Sequence, residues 1–167
     1  MSRHIRSTLG WLLACLIGFV LVACSGDETI AVSYAAYNHT NEDIVSIVIN
    51  GEGGILDADA HGGGGRMCCV VLPKRWRPGL MATIKWQLDG DWLKDEQGKE
   101  VIRDGKTVLV PGPWKERTVE VPNYKGEMGT FFIHIFPGDE VKVLMNIYGA
   151  GNPQHPLPHS SGFKREG

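Results

Sequence analysis

The sequence predicts an all-β fold, a single antiparallel β-sandwich-like domain behind a cleaved signal peptide. Short apolar runs rich in β-branched residues recur after residue 29, and turn residues separate them. Four prolines stand at the ends of these runs, as a sheet requires because proline cannot donate a ladder hydrogen bond. They are Pro73, Pro111, Pro122 and Pro137. The sequence contains no amphipathic pattern long enough for a major helix.

The first 23 residues form the predicted signal peptide. Arg3 and Arg6 precede an apolar run over residues 9–22 that only two glycines interrupt. A basic start, an apolar run of this length and a small residue before the cleavage site are typical of secretory signal peptides. A membrane-spanning helix needs about 20 apolar residues, and this run is shorter. We therefore assign residues 1–23 to the signal peptide and residues 24–29 to a polar tether.

The signal peptide leads into Leu21-Val22-Ala23-Cys24, which resembles the lipobox of bacterial lipoproteins. The resemblance implies that Cys24 takes a diacylglyceryl group and becomes the acylated amino terminus. Ser25, in place of Asp, implies transport to the outer membrane, with the domain facing the periplasm. Since each buried methylene contributes about 0.8 kcal/mol, two or three acyl chains would hold the protein on the membrane. An ordinary signal peptide with an incidental cysteine is the alternative.

The predicted sandwich occupies residues 30–150. Its strand-like runs, in chain order, are 31–37, 44–49, 67–72, 80–88, 108–110, 117–121, 129–136 and 140–148. We expect the first two runs to pair as a hairpin. The charged stretch 89–106 should consist mainly of turns, and residues 151–167 form a predicted Pro-rich tail that is extended or disordered.

Two of these runs indicate which side chains face the core. Residues 80–88 alternate, and their predicted inner face is Ala82, Ile84, Trp86 and Leu88. Residues 129–136 form the clearest core strand, in which Phe131, Ile133 and Ile135 lie opposite Phe132, His134 and Phe136. We expect His134 to be a hydrogen-bonded structural histidine rather than a general base.

The charge balance argues against a nucleic-acid partner. The chain carries 17 Lys and Arg residues against 19 Asp and Glu residues, with a formal net charge of -2. Nucleic-acid binding needs clustered basic side chains that displace counterions from phosphates. We therefore expect no nucleic acid among the partners.

Cys68 and Cys69 remain once the signal peptide and the lipid site are set aside. The cell envelope is oxidising, so a disulfide-linked redox pair is one interpretation. Adjacent side chains on a strand point to opposite faces, however, and a bridge between them must close a small ring. We therefore favour two buried thiols that pack as small hydrophobes. No Cys-x-x-Cys or paired His accompanies them, so a metal site is not predicted.

His61, Gly62, Gly63, Gly64 and Gly65 form a run that is similar to the oxyanion loop of lipases and esterases. Such an enzyme also needs Gly-x-Ser-x-Gly on a strand-to-helix turn, and this sequence contains none. The run therefore predicts a flexible or close-packed glycine loop. We expect a protein that is not an enzyme and that needs no cofactor or metal.

Trp76 and Arg77 begin the turn Trp76-Arg77-Pro78-Gly79. Large aromatic side chains and arginine are the usual anchors of protein interfaces, so this turn either covers the core or makes a contact. We predict that residues 61–65, together with Trp76 and Arg77, form the surface that binds a protein partner.

An ordered set of short motifs runs from residue 34 to residue 158. It includes Tyr37-Asn38-His39-Thr40, His61 with the glycine run, Cys68-Cys69-Val70, Trp76-Arg77-Pro78-Gly79, Val119-Glu120-Val121-Pro122 and His155-Pro156-Leu157-Pro158. This set resembles a family of small bacterial envelope lipoproteins that carry a domain of unknown function. Some members resemble immunity proteins of type VI secretion systems, encoded beside phospholipase effectors. The family has no assigned catalytic residues.

The resemblance implies a lipid-anchored periplasmic binding protein, an immunity protein that neutralises a type VI secretion phospholipase effector. A membrane tether would raise the concentration of the inhibitor where the enzyme meets its lipid substrate. The alternative is a structural or accessory envelope lipoprotein with no toxin partner. We therefore expect two partners. One is a protein, for which a lipase effector is the candidate, and the other is the membrane that the N-terminal lipid enters.

Overall fold

The computed structural model of the protein describes residues 28–52, 56–125 and 128–158. The predicted signal peptide and the lipid site at Cys24 lie outside the described residues, as does the end of the predicted tail from residue 159 onward. What the structure describes is built almost entirely from β-strands, which confirms the predicted all-β class.

Within the described residues, eleven strands follow one another. They are β1 (Thr29–Asn38), β2 (Ile44–Ile49), β3 (Gly63–Pro73), β4 (Met81–Leu88), β5 (Asp91–Trp92), β6 (Ile102–Arg103), β7 (Lys106–Thr107), β8 (Leu109–Val110), β9 (Trp114–Glu120), β10 (Thr130–Phe136) and β11 (Glu140–Asn146). The first sheet has the order β11-β10-β1-β3 and the second the order β2-β4-β9. The four short strands pair as β5 with β8 and β6 with β7.

The two larger sheets share one hydrophobic core. The four residues predicted as the inner face of β4 are buried, which confirms that prediction. Phe131, Ile133 and Ile135 of β10 enter the same core from the first sheet. Buried and more exposed side chains alternate along β4, as expected for a strand with one face toward solvent.

The predicted hairpin between the first two strands is wrong. Strand β1 pairs with β3 and, in parallel, with β10, whereas β2 pairs with β4 in the other sheet. The buried side chain of Asn38 explains the change of sheet. Its Nδ2 donates to the carbonyls of Glu42 (2.7 Å) and Ala58 (3.0 Å). Its Oδ1 accepts from the amide of Thr40 (2.9 Å), so the chain turns out of the first sheet at this point.

Strand β10 is buried on both faces, and the carboxyl-terminal segment supplies the outer cover. Residues 130–135 are all buried. On the outer face, Phe132 packs with Ala35 and Leu144, and Leu157 of the tail contacts this group. Residues 151–158 of the predicted tail form turns and bends against this face, with His155 buried and Leu157 half-buried, which covers apolar side chains that would otherwise meet water.

Loop contacts define two ends of the sandwich. At the first, which we call the amino-terminal end, the amide of Lys74 donates to the carbonyl of Glu28 (2.7 Å), just before β1. Beyond the other end of β1, the amide of Asp89 donates to the carbonyl of Asp43 (2.8 Å). Residues 89–112 leave the sandwich here and form a projection that we call the arm. Since β1 has 10 residues, the two ends lie about 30 Å apart at roughly 3.3 Å per residue.

Candidate protein-contact surface

The predicted glycine loop is largely the beginning of an edge strand, since residues 63–65 belong to β3. Close packing explains Gly63, because a Cβ atom there would lie 2.9 Å from the ring of Tyr37. His61 precedes the strand, is exposed and has a φ of 55°. Its Nε2 is hydrogen-bonded to Oδ1 of Asn41. This contact places His61 at the end of the sandwich from which the arm leaves, which we call the arm end.

Cys68 and Cys69 are joined by a disulfide, so the expectation of two free, buried thiols is wrong. Their Cα atoms lie 3.1 Å apart and the peptide bond between them is cis. The ladder between β1 and β3 is irregular here, with a register shift between Val32 and Tyr34. Cys68 is exposed and Cys69 is half-buried. The strict alternation of a regular strand, on which the expectation rested, does not hold at this irregularity.

Trp76 covers the core and is not an open contact residue. It is half-buried, packs against the core cluster, and its Nε1 donates to the carbonyl of Val121 (2.7 Å). Arg77 beside it is exposed. Of the two interpretations of this turn, the structure therefore favours the one in which it closes the amino-terminal end of the sandwich.

The residues predicted to share one contact surface lie at opposite ends of the molecule. Strand β3 has 11 residues and separates His61 from Trp76 and Arg77. At about 3.3 Å per residue, the strand spans roughly 35 Å. Residues 61–65 therefore remain near the arm, whereas Trp76 and Arg77 cannot belong to the same compact patch.

The arm has its own small hydrogen-bonded centre. The amide of Leu93 donates to Val108 (2.8 Å), that of Val101 donates to Leu93 (2.8 Å), and that of Val108 donates to Val101 (3.0 Å). All three side chains are half-buried. The predicted turn region 89–106 thus contains the short strands β5 and β6 and the first residue of β7, and β8 lies in the predicted strand 108–110. The closed cycle of backbone hydrogen bonds links these short strands and holds the arm in a defined shape.

The arm exposes several large hydrophobic side chains among its charged residues. Large hydrophobic side chains here and on the neighbouring start of β9 are 45% to 64% exposed. They are Trp92, Ile102, Leu109, Val110 and Trp114. Trp92 and Leu109 are direct cross-strand partners. Clustered exposed apolar residues of this kind mark interaction sites in soluble domains.

Two glycines form the base of the arm. A Cβ atom at Gly90 would overlap the carbonyl oxygen of Val110, and one at Gly112 would overlap that of Asp89. Only glycine permits this approach of the two backbone segments. The arm therefore leaves the sandwich at a fixed, closely packed crossing.

A polar cleft of about 310 Å³ lies beside the arm end and is bordered by residues from the loop after β1, from β4, from β9 and from the turn after β10. Lys115 of β9 crosses it, with its Nζ 2.9 Å from Oδ1 of Asp139 and 3.7 Å from Oε2 of Glu42. The hydrogen bond to Asp139 raises the pKa of Lys115 above its usual value. These ion pairs satisfy the lysine and tie β9 to two loops.

Three histidines from distant parts of the sequence form a hydrogen-bonded series, which we call the histidine relay. Nε2 of His39 lies 3.0 Å from Nδ1 of His134, whose Nε2 lies 3.0 Å from Nε2 of His155. Burial, and then the proximity of His155 and His39, lower the pKa of His134 to about 3. His134 is thus the buried, hydrogen-bonded histidine that the sequence predicts. Its position on an otherwise apolar strand face was the one available signal of the relay.

Within residues 28–52, 56–125 and 128–158, no three or more His, Cys, Asp or Glu side chains are grouped to hold a metal ion. In that same part of the chain, no helix has the length and apolar character needed to cross a membrane.

Residues 37–143 match the profile of a family described as a protein of unknown function (DUF3304). The matched region runs from the last residues of β1 to the middle of β11 and contains the whole arm. No curated protein and no solved structure matches the chain.

Replacing Trp76 with Phe should lower the free energy of unfolding by about 1–3 kcal/mol, since the buried carbonyl of Val121 loses its donor. Urea denaturation of the purified domain, expressed without the signal peptide and the lipid and called the soluble domain, measures the change. Trp114→Phe is the matched control, because Trp114 is 45% exposed and should show almost no change. Equal stability of the Trp76→Phe variant and the native protein would contradict a structural role for this tryptophan.

Proposed function

Since the chain belongs to the DUF3304 family, whose function is unknown, we propose from its geometry that it is a lipid-anchored periplasmic protein that binds a protein partner through the arm. The exposed pair of Trp92 and Leu109 carries this proposal. Tryptophan is among the residues most enriched at the energetic centres of interfaces. The cycle of backbone bonds beneath the pair limits the entropy that binding would cost.

The position of the arm relative to the start of the described chain fits an anchored binding protein. Cys24 precedes Glu28 by four residues, which reach at most about 14 Å when extended. A lipid at Cys24 would therefore hold the amino-terminal end near the bilayer. The arm would then project away from the membrane, where a partner arriving from the periplasm can reach it.

The preferred partner is a phospholipase effector of a type VI secretion system, and the protein would act as its immunity protein. The motif resemblance supports this choice. An inhibitor tethered within a few nanometres of the bilayer would also meet the enzyme close to its lipid substrate, at a raised effective concentration. The protein would neutralise the effector by binding it and would perform no chemistry on the substrate.

Replacing Trp92 with Ala should weaken binding of the domain, expressed without signal peptide and lipid, to a type VI secretion phospholipase effector by about thirtyfold, the effect of losing roughly 2 kcal/mol at an interface centre. Isothermal titration calorimetry measures the dissociation constant. A second pair of variants is matched for exposure, since Val110 on the arm and Val71 on β3 are each 46% exposed. Val110→Ser should weaken binding and Val71→Ser should not.

Two results would count against this proposal. If the native domain and the lipase do not associate at micromolar concentrations, the immunity function is wrong for this protein. If they associate but both arm variants bind normally, the partner uses another surface. Deleting the gene separates the structural alternative, which predicts envelope defects even when no neighbouring cell delivers an effector.

Replacing Cys24 with Ser should abolish incorporation of labelled fatty acid and release the protein from the membrane fraction, because the acyl chains supply the anchor. Cell fractionation and mass spectrometry of the mature chain measure both effects. The double variant Cys68→Ser/Cys69→Ser should keep the label and the membrane location. A native protein without modification at Cys24 would refute the anchor.

A further inference from the structure

The carboxyl-terminal segment, residues 149–158, contacts the first sheet through a hydrogen bond and through buried side chains. The amide of Ala150 donates to the hydroxyl of Tyr37 (3.1 Å). His155 is 7% exposed, and its ring meets Phe132 edge-on with the centroids 4.9 Å apart. Leu157 adds an apolar contact to the group around Phe132. The attachment of this segment therefore depends strongly on His155.

The histidine relay has one arrangement of protons when all three rings are neutral. The carbonyl of Tyr148 can only accept, so Nδ1 of His155, 2.8 Å away, carries a proton and donates to it. Nε2 of His155 must then accept from Nε2–H of His134. Nδ1 of His134 in turn accepts from Nε2–H of His39. Three neutral rings with three protons thus make three hydrogen bonds.

A proton added to the relay places a positive charge in a buried site. Tautomer shifts preserve the hydrogen bonds, because His155 protonated on both nitrogens donates to Nε2 of His134, which then donates from Nδ1 to Nε2 of His39. The cost lies in the charge itself, since His134 is buried and Lys142 is its cross-strand neighbour on β11. Lys142 is paired with Glu140 (3.0 Å), and its Nζ lies 5.2 Å from the ring centre of Phe136.

In the described part of the chain, the rings around His134 offer aromatic contacts. Tyr37 of β1 stacks on His134 with the centroids 5.0 Å apart. His39 stacks on Phe136 at 4.3 Å. The electrostatic neighbours that act on His134 are His155 and His39, and either would repel a charge there if it were itself protonated.

We propose that the histidine relay is a pH-sensitive clasp, which holds residues 149–158 on the first sheet near neutral pH and releases them on acidification. Release uncovers Phe132 and Leu144 and frees His134 to bind a proton. This inference is independent of the proposed partner and of the lipid anchor, because it concerns only contacts within the described chain.

The sign of the effect follows from His134. Its pKa is about 3 with the segment bound and would return toward the ordinary value of about 6.5 after release. The released state therefore binds more protons between these values. The clasp keeps its full strength above about pH 6.5 and loses it progressively as the pH falls toward 3.

Hydrogen exchange of the full mature chain tests the clasp through the amides of Ala150 and His155. Between about pH 7.5 and pH 5, and after correction for intrinsic exchange rates, the opening equilibrium of the segment should rise about thirtyfold from His134 alone. Amides of β4 should stay protected at both pH values. Unchanged protection of the segment, or equal loss of protection in β4, would overturn the proposal.

Two variants locate the response. His134→Phe keeps an aromatic ring at the buried position but cannot titrate, so its segment should respond to pH far less than the native one, whether it rests bound or free. His61→Asn removes an exposed histidine outside the relay and should leave the response intact. A native-like pH response in His134→Phe, or its loss in His61→Asn, would refute the assignment.

The tautomers give a readout that does not depend on exchange. Ring-nitrogen chemical shifts at neutral pH should show His155 protonated at Nδ1, and His134 and His39 protonated at Nε2. A neutral His155 protonated at Nε2 instead would contradict the relay.

Discussion

The burial of β10 on both faces is the constraint on which the rest of the structure depends. Its inner side chains complete the sandwich core, and its outer face carries Phe132 and His134. Leaving a side chain like that of Phe132 exposed would forgo about 1.5–3 kcal/mol of burial free energy. The sheet therefore needs a cover on the side away from the core, and the carboxyl-terminal segment provides it.

Because His134 lies on the same face as Phe132, the cover must also supply a hydrogen-bond partner. A buried polar group without a partner costs roughly 2–7 kcal/mol, depending on the reference state. Both ring nitrogens of His134 are satisfied, one by His39 and the other by His155. The need to satisfy one buried imidazole thus joins the loop after β1 to the tail, which lie at distant positions in the sequence.

The corner at Asn38 sets the long-range arrangement. Because its side-chain amide directs the chain from the first sheet to the second, the start of β1 and the root of the arm lie at opposite ends of the sandwich.

Much of this architecture could be predicted from local patterns, including the strands and the inner face of β4. The change of sheet at Asn38, the irregular ladder at Cys68 and Cys69 and the histidine relay could not, since each depends on contacts between residues distant in sequence. The same limit applies to the contact surface. Tryptophan is a typical interface residue, but the indole of Trp76 packs on the core and donates to a backbone carbonyl within the fold.

We propose that the arm meets the partner, rather than the surface predicted from residue types alone. The hydrogen-exchange footprint of a phospholipase effector on the domain, expressed without signal peptide and lipid, tests this most directly. We expect new protection in residues 89–114 and unchanged exchange around Trp76 and Arg77. Protection confined to the turn of Trp76 and Arg77, with the arm exchanging as in the free protein, would contradict it.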